Sequence, residues 1–274
     1  MPDQEPFIEP LAQIGRWVFG RLSGNVRPEP ESKPVSKVFT DITFILDRSG
    51  SMGSLREAAC RSINDYMRTV DQEPGDGCWT LVQFDDPHSA RGAGEAFPHE
   101  VFTQVPSERR PFLEVQNFQP RGSTALRDAM ATTILRAKAR IESQVPEDLR
   151  KDYRVLVVTM TDGLENASQQ YTQAKLNELI AERQKAGWVF VYLGANQDAF
   201  SEGQNLGIDQ HLNVHNRYRG ATFKDYEASP AAMQQCTAAA AGDARNWKAE
   251  GNQTAAALQG EGNPDVQAKF QGKK

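Results

Sequence analysis

Apolar and polar positions along the chain change their period several times, and each change marks an element. "VFTDITFILD" (38–47) is a dense apolar run with β-branched residues and reads as a strand. "SLREAACRSINDYMRTV" (54–70) then sets Leu55, Ala58, Ala59, Ile63, Tyr66, Met67 and Val70 at helical spacing. "CWTLVQFDD" (78–86) reads as a second strand and "AFPHEVFTQV" (96–105) as a third. The Gly-rich turn "HSARGAGE" joins these two, so they are expected to run antiparallel. A Pro-Arg-Gly turn leads into a helix with Ala125, Leu126, Ala129, Met130, Thr133, Ile134 and Ala137 along one side. "YRVLVVTMTDG" (153–163) is apolar nearly throughout, as a central parallel strand covered on both faces should be. "TQAKLNELIAERQKAG" (172–187) is an amphipathic helix ended by Gly187, and "WVFVYLGAN" (188–196) is the last clear strand.

Strands alternating with helices predict an α/β fold: a Rossmann-like, doubly wound, mostly parallel sheet of about six strands with helices on both faces. One antiparallel edge strand is expected near 96–105. The pattern assigns this domain to residues 38–215. Residues 1–37 form an arm that ends in the Pro- and charge-rich "NVRPEPESKPVSK". "QDAFSEGQNLGI" (197–208) reads as a short helix capped by Asn196. Residues 216–274 are rich in Ala, Gln and Gly, and a partly helical tail with a loose end is expected there.

Composition narrows the function classes. A formal charge of -5 leaves no basic field to hold nucleic acid. No run approaches the roughly 18 apolar residues of a membrane span. The opening "MPDQEPFIEP" is acidic without an apolar core, so no secretory signal is expected. Cys60, Cys78 and Cys236 have no metal-binding spacing, and an unstapled chain fits a reducing, cytoplasmic setting.

Three polar clusters fall where the strands of a parallel sheet end: Asp47-Arg48-Ser49-Gly50-Ser51, Gly122-Ser123-Thr124 and Thr161-Asp162-Gly163. Each alone is explicable as a helix cap or turn. All three at one edge offer two carboxylates and several hydroxyls, the oxygen set that suits a hard divalent cation such as Mg²⁺. Zinc would call for clustered His or Cys. The pair His211 and His215 has the spacing of one helix face but no glutamate of an HExxH motif between them, and it reads as a surface pair. Neither "GDG" (75–77) nor "ARGAG" (90–94) ends as a phosphate loop does. Asp85 and Asp86 read as solvated turn carboxylates beside the site, and Glu165 and Asn166 as rim positions open to a partner.

The motifs "DRSGS", "GST" and "TDG", in that order, resemble the metal-ion-dependent adhesion site of the von Willebrand factor type A domain. The match is complete at Asp47, Ser49, Ser51, Thr124 and Asp162, and the resemblance covers about residues 38–200. It implies that Ser49 and Ser51 ligate Mg²⁺ (or Mn²⁺) directly, while Asp47 acts largely through water and hydrogen bonds to the serines. Thr124 and Asp162 would alternate between direct and water-mediated contact. One open position would accept an Asp or Glu carboxylate of a partner protein. The stretch "GANQDAFSEGQNLGI" (194–208), which ends the last strand, is similar to the corresponding ends of compact bacterial and phage members.

The implied function is a non-catalytic protein-interaction module. The alternative is a subunit of a chelatase or AAA-ATPase assembly, whose ATPase must be a separate chain because this one has no ATPase motif. A third reading, a Mg²⁺ phosphohydrolase of the haloacid dehalogenase type, needs a second Asp two residues after the nucleophile, where Ser49 stands. A serine hydrolase lacks its GxSxG elbow.

Overall fold

Residues 38–163, 165–194, 205, 206, 208 and 230–258 are described in a computed structural model of the chain. The arm 1–37, most of the segment 197–208 with its Asn196 cap, the histidine pair and the tail beyond 258 lie outside these residues.

Strand β1 (Phe39–Asp47) is followed by a 3-10 turn over Gly50–Leu55 and helix α1 (Arg56–Asp71). Next come β2 (Gly77–Phe84), the short α2 (Pro87–Gly92) and β3 (His99–Pro106). Helix α3 (Leu126–Gln144) leads to β4 (Tyr153–Thr161), α4 (Gln173–Lys185) and β5 (Val189–Gly194). A long helix, α5 (Pro230–Leu258), completes the described chain. The sheet holds five strands among the described residues, in the order β3-β2-β1-β4-β5. All neighbours are parallel except β2 and β3, so the antiparallel edge strand falls where the Gly-rich turn predicts it.

The alternation of side chains along the central strands fills a core on each face. Ile42, Phe44 and Leu46 of β1, with Leu156, Val158 and Met160 of β4, pack against Ile63, Tyr66 and Met67 of α1. Ile45 of β1 and Val155 and Val157 of β4 face the other way, toward Met130 and Ile134 of α3 and Leu176 and Ile180 of α4. Both faces are thus covered, which is why these strands read as nearly continuous apolar runs. Cys60 and Cys78 are buried free thiols. Gly187 sits at φ +85, a left-handed angle that costs residues with a Cβ. Its N–H bonds Gln184 C=O at 2.9 Å, and Trp188 N–H bonds Arg183 C=O at 3.0 Å, which closes α4 with a Schellman cap.

Strand order reverses between β1 and β4: the chain leaves β1 for β2 on one side and later returns to β4 on the other. In an open parallel sheet the crevice for a ligand lies outside the carboxyl ends of the strands at such a reversal. Asp47 is the last residue of β1, and Asp162 directly follows the last residue of β4.

Candidate metal centre

Asp47 is fully buried, and both of its oxygens are engaged. Ser49 N–H donates to Oδ1 at 2.6 Å, and Thr161 Oγ1 donates to Oδ2 at 2.5 Å. Ser49 Oγ lies 3.1 Å from Ser51 Oγ, and Ser51 Oγ donates to Asp162 Oδ1 at 2.8 Å. These bonds link the end of β1 to the end of β4 in one chain of oxygens. Thr124 reaches the same place from the loop before α3. A Cβ built on Gly163 would lie 3.2 Å from Thr124 Oγ1, 3.5 Å from Ser51 Oγ and 3.8 Å from Asp47 Oδ2. Oxygens from two separate stretches, 47–51 and the loop at Thr124, therefore meet around one point beside a third, and Gly163 keeps that point free of a side chain.

The simpler capping account does not fit these hydroxyls. Ser49 precedes the 3-10 turn but its side chain makes no capping bond. The N-cap position of α3 is Ala125, one residue after Thr124, and has no side-chain oxygen.

Burial pushes the Asp47 carboxyl up to about 6; the bonds from Thr161 and Ser49 pull it back, and the neighbouring Asp162 charge adds to the rise. Burial also raises Asp162, against the bond from Ser51 and its own N–H. Two carboxyls that resist joint ionisation, with three hydroxyls beside them, form a donor set that a hard divalent cation fits, because its charge favours both ionised forms. Among the described residues no three His, Cys, Asp or Glu side chains cluster as a metal group, so this set is defined by its hydroxyls.

Beneath the site, Arg48 turns away from the serines on either side of it. Its Nε is 3.4 Å from Asp85 Oδ2, and its Nη2 pairs with Glu95. Arg121 donates from Nε to Asp85 Oδ2 at 2.7 Å and from Nη2 to Glu95 Oε2 at 2.9 Å. Two guanidiniums and two carboxylates thus neutralise one another, with Arg48 and Asp85 buried and Arg121 and Glu95 partly exposed. Burial would raise Glu95, but the two arginines outweigh it and hold the carboxyl below its ordinary value. The backbone joins in: Arg121 N–H bonds Arg48 C=O at 2.8 Å, and Ala125 N–H bonds Asp85 C=O at 2.9 Å. The Thr124 loop is stitched to the ends of β1 and β2.

Several sequence expectations need correction. Asp85 is not a solvated turn carboxylate but is fully buried, because it neutralises Arg48 and Arg121. Asp86 caps α2, accepting from His88 N–H and Ser89 N–H at 2.9 Å, and also holds Ser123 N–H at 2.9 Å. Glu165 is turned inward rather than toward a partner: its side chain is 5% exposed and takes N–H groups from Arg127, Ala167 and Ser168. Thr161 was missing from the predicted set, although its hydroxyl anchors Asp47. The sequence signal was present, since Thr161 directly precedes Asp162 at the end of β4.

No family model matches the chain, and no curated protein matches it by sequence. Solved structures align with it at low identity. Proximal thread matrix protein 1 from the mussel byssus covers 77% of this chain and 47% of its own, at 18% identity and a TM-score of 0.49. The manganese-loaded TRAP protein of Plasmodium vivax covers 76% and 74%, at 13% identity and a TM-score of 0.44. The pilus adhesin SpaC of Lactobacillus rhamnosus GG, in its open conformation, covers 85% and 31%, at 11% identity and 0.47. This chain therefore spans about half the length of the first and a third of the last. Likenesses this distant say nothing about ligand or partner, and the chemistry rests on the side chains described above.

Proposed function

We propose that this chain is a non-catalytic interaction module of the von Willebrand factor type A kind. It binds an acidic group of a partner protein through a Mg²⁺ ion, with Mn²⁺ able to substitute, held by Asp47, Ser49, Ser51, Thr124 and Asp162. The observation that carries the reading is the meeting of the Asp47, Ser51 and Thr124 oxygens around one point at the strand-order reversal, with Asp162 bonded to Ser51.

A divalent ion bound there supplies a hard Lewis-acid position that a partner carboxylate completes. Ser49, Ser51 and Thr124 contribute neutral oxygens, so no more than two carboxylates of this chain offset the charge of the ion, and an open coordination position would take the further carboxylate. Asp47 is held in orientation by Thr161 and Ser49. Ser49 occupies the position where a dehalogenase-type phosphohydrolase needs its general acid, which supports binding over turnover.

The test is affinity capture on the immobilised chain in Mg²⁺ and in EDTA, repeated with Thr124→Ala. The expected result is a set of proteins retained by wild type in Mg²⁺ and released by EDTA, with retention weakened in the variant. An AAA-ATPase among them would assign the chain to an enzyme assembly. Retention that ignores both EDTA and the substitution would sink the proposal. So would phosphate-ester turnover by the pure chain that disappears in Asp47→Asn.

A further inference from the structure

Thr124 is gripped through its backbone by the loop that follows Asp162. Thr124 N–H donates to Asn166 Oδ1 at 2.8 Å, and Thr124 C=O accepts from Asn166 N–H at 3.0 Å and Ala167 N–H at 3.2 Å. Both polar groups of this one peptide position are thus taken by residues more than forty positions later in the chain. The same loop is fastened further along α3. Arg127 N–H goes to Glu165 Oε2 at 2.8 Å and Asp128 N–H to Ser168 Oγ at 3.0 Å. In return, the buried Asp128 carboxylate accepts from Gln169, Gln170 and Tyr171 N–H at 2.8, 3.0 and 2.8 Å.

Most of this lattice has a structural cause. A helix leaves its first N–H groups without intrahelical partners, and Ala125 has no side-chain oxygen to cap them. Glu165 and Ser168 supply the missing caps. The Asn166 contact does not belong to that account, because Thr124 lies before the helix and its N–H is not one of the helix's orphans. What the contact fixes is the position of the Thr124 hydroxyl relative to the loop carrying Asp162.

We infer that Asn166 is a positioning residue for the metal centre, latching Thr124 and Asp162 together so that the two move as one unit. This rests on the metal-binding reading above. It adds to the alternation of Thr124 and Asp162 between direct and water-mediated contact, which the family resemblance implies, a physical link between the two residues. A loop ordered before the ion arrives need not be ordered by it, so the latch raises affinity although Asn166 touches no ion.

The test uses the full chain as wild type, Asn166→Ala and Asn166→Asp. Titration calorimetry with MgCl₂ and MnCl₂ reads affinity, and hydrogen exchange of the Thr124 amide in EDTA reads the latch without metal. Loss of the acceptor in Asn166→Ala should weaken metal binding about tenfold, the effect of one hydrogen bond, and speed Thr124 exchange. Asn166→Asp keeps an acceptor, so the amide should stay slow and the metal bind at least as tightly as in wild type. Wild-type affinity in Asn166→Ala, or equal losses in both variants without rescue, would overturn the inference. If wild type binds no metal, the metal reading fails; slow Thr124 exchange lost in Asn166→Ala would then still establish the latch by itself.

Discussion

Asp41, near the start of β1, lies at the end of the strand remote from Asp47 and is 1% exposed. Burial raises its carboxyl above the ordinary value; the Arg140 charge and bonds from Tyr153, Gln104 and Cys78 offset this only in part. Tyr153 OH donates to its Oδ2 at 2.9 Å. A carboxyl whose folded pKa is raised contributes stability that is full below the unfolded pKa, near 3.9, and lost as pH rises through the folded value. Asp41→Asn keeps an acceptor for Tyr153 and has no charge to bury. The variant should therefore gain on wild type as pH rises from about 4 to about 8, read by urea denaturation across that range. A gap that stays flat or narrows would contradict this account. At this scale the chain was only partly legible. The three polar clusters could be seen because each is a short local run at the end of a predicted element, and the family resemblance selected Asp47, Ser49, Ser51, Thr124 and Asp162 from them. Arg48, Asp85 and Asn166 could not, because their partners lie tens of residues away and only the fold brings them together.

Among elements, the five strands and the helices α1, α3 and α4 follow from apolar periodicity, since each buries a face that its own sequence displays. Helix α5 is different. Its stretch is poor in large apolar residues, yet Met233, Ala240, Ala241, Ala244 and Trp247 join the core beside α1. Small side chains let the two helices approach closely, and alanine carries too weak an apolar signal to announce that contact in advance. Trp247 is the exception in size. Arg154 lies over its ring at 4.0 Å and also donates to its carbonyl at 2.5 Å. Truncating a buried aromatic costs about 3–5 kcal/mol, and a stacked cation adds to that. Trp247→Ala should therefore lower the unfolding free energy by about 3 kcal/mol in chemical denaturation. A loss below about 0.5 kcal/mol, the size of a surface substitution, would mean that α5 contributes little to the fold.

For the molecule as a whole, the strand-order reversal gathers the three polar clusters into one edge, and the Arg48–Asp85–Arg121–Glu95 group neutralises its own charges below them. The carboxyls that meet the hydroxyls at that edge are those of Asp47 and Asp162. A ligand that binds only the folded state stabilises it by linkage, by about 2.7 kcal/mol at 100 times its dissociation constant. The measurement that tests this most directly is thermal melting of the full chain in EDTA and over a series of Mg²⁺ and Mn²⁺ concentrations, with Asp47→Ala in parallel. The predicted result is a wild-type midpoint that rises with the logarithm of metal concentration and an Asp47→Ala midpoint that does not move. A wild-type melt that ignores both metals, with no binding heat in calorimetry, would contradict the metal-centre account.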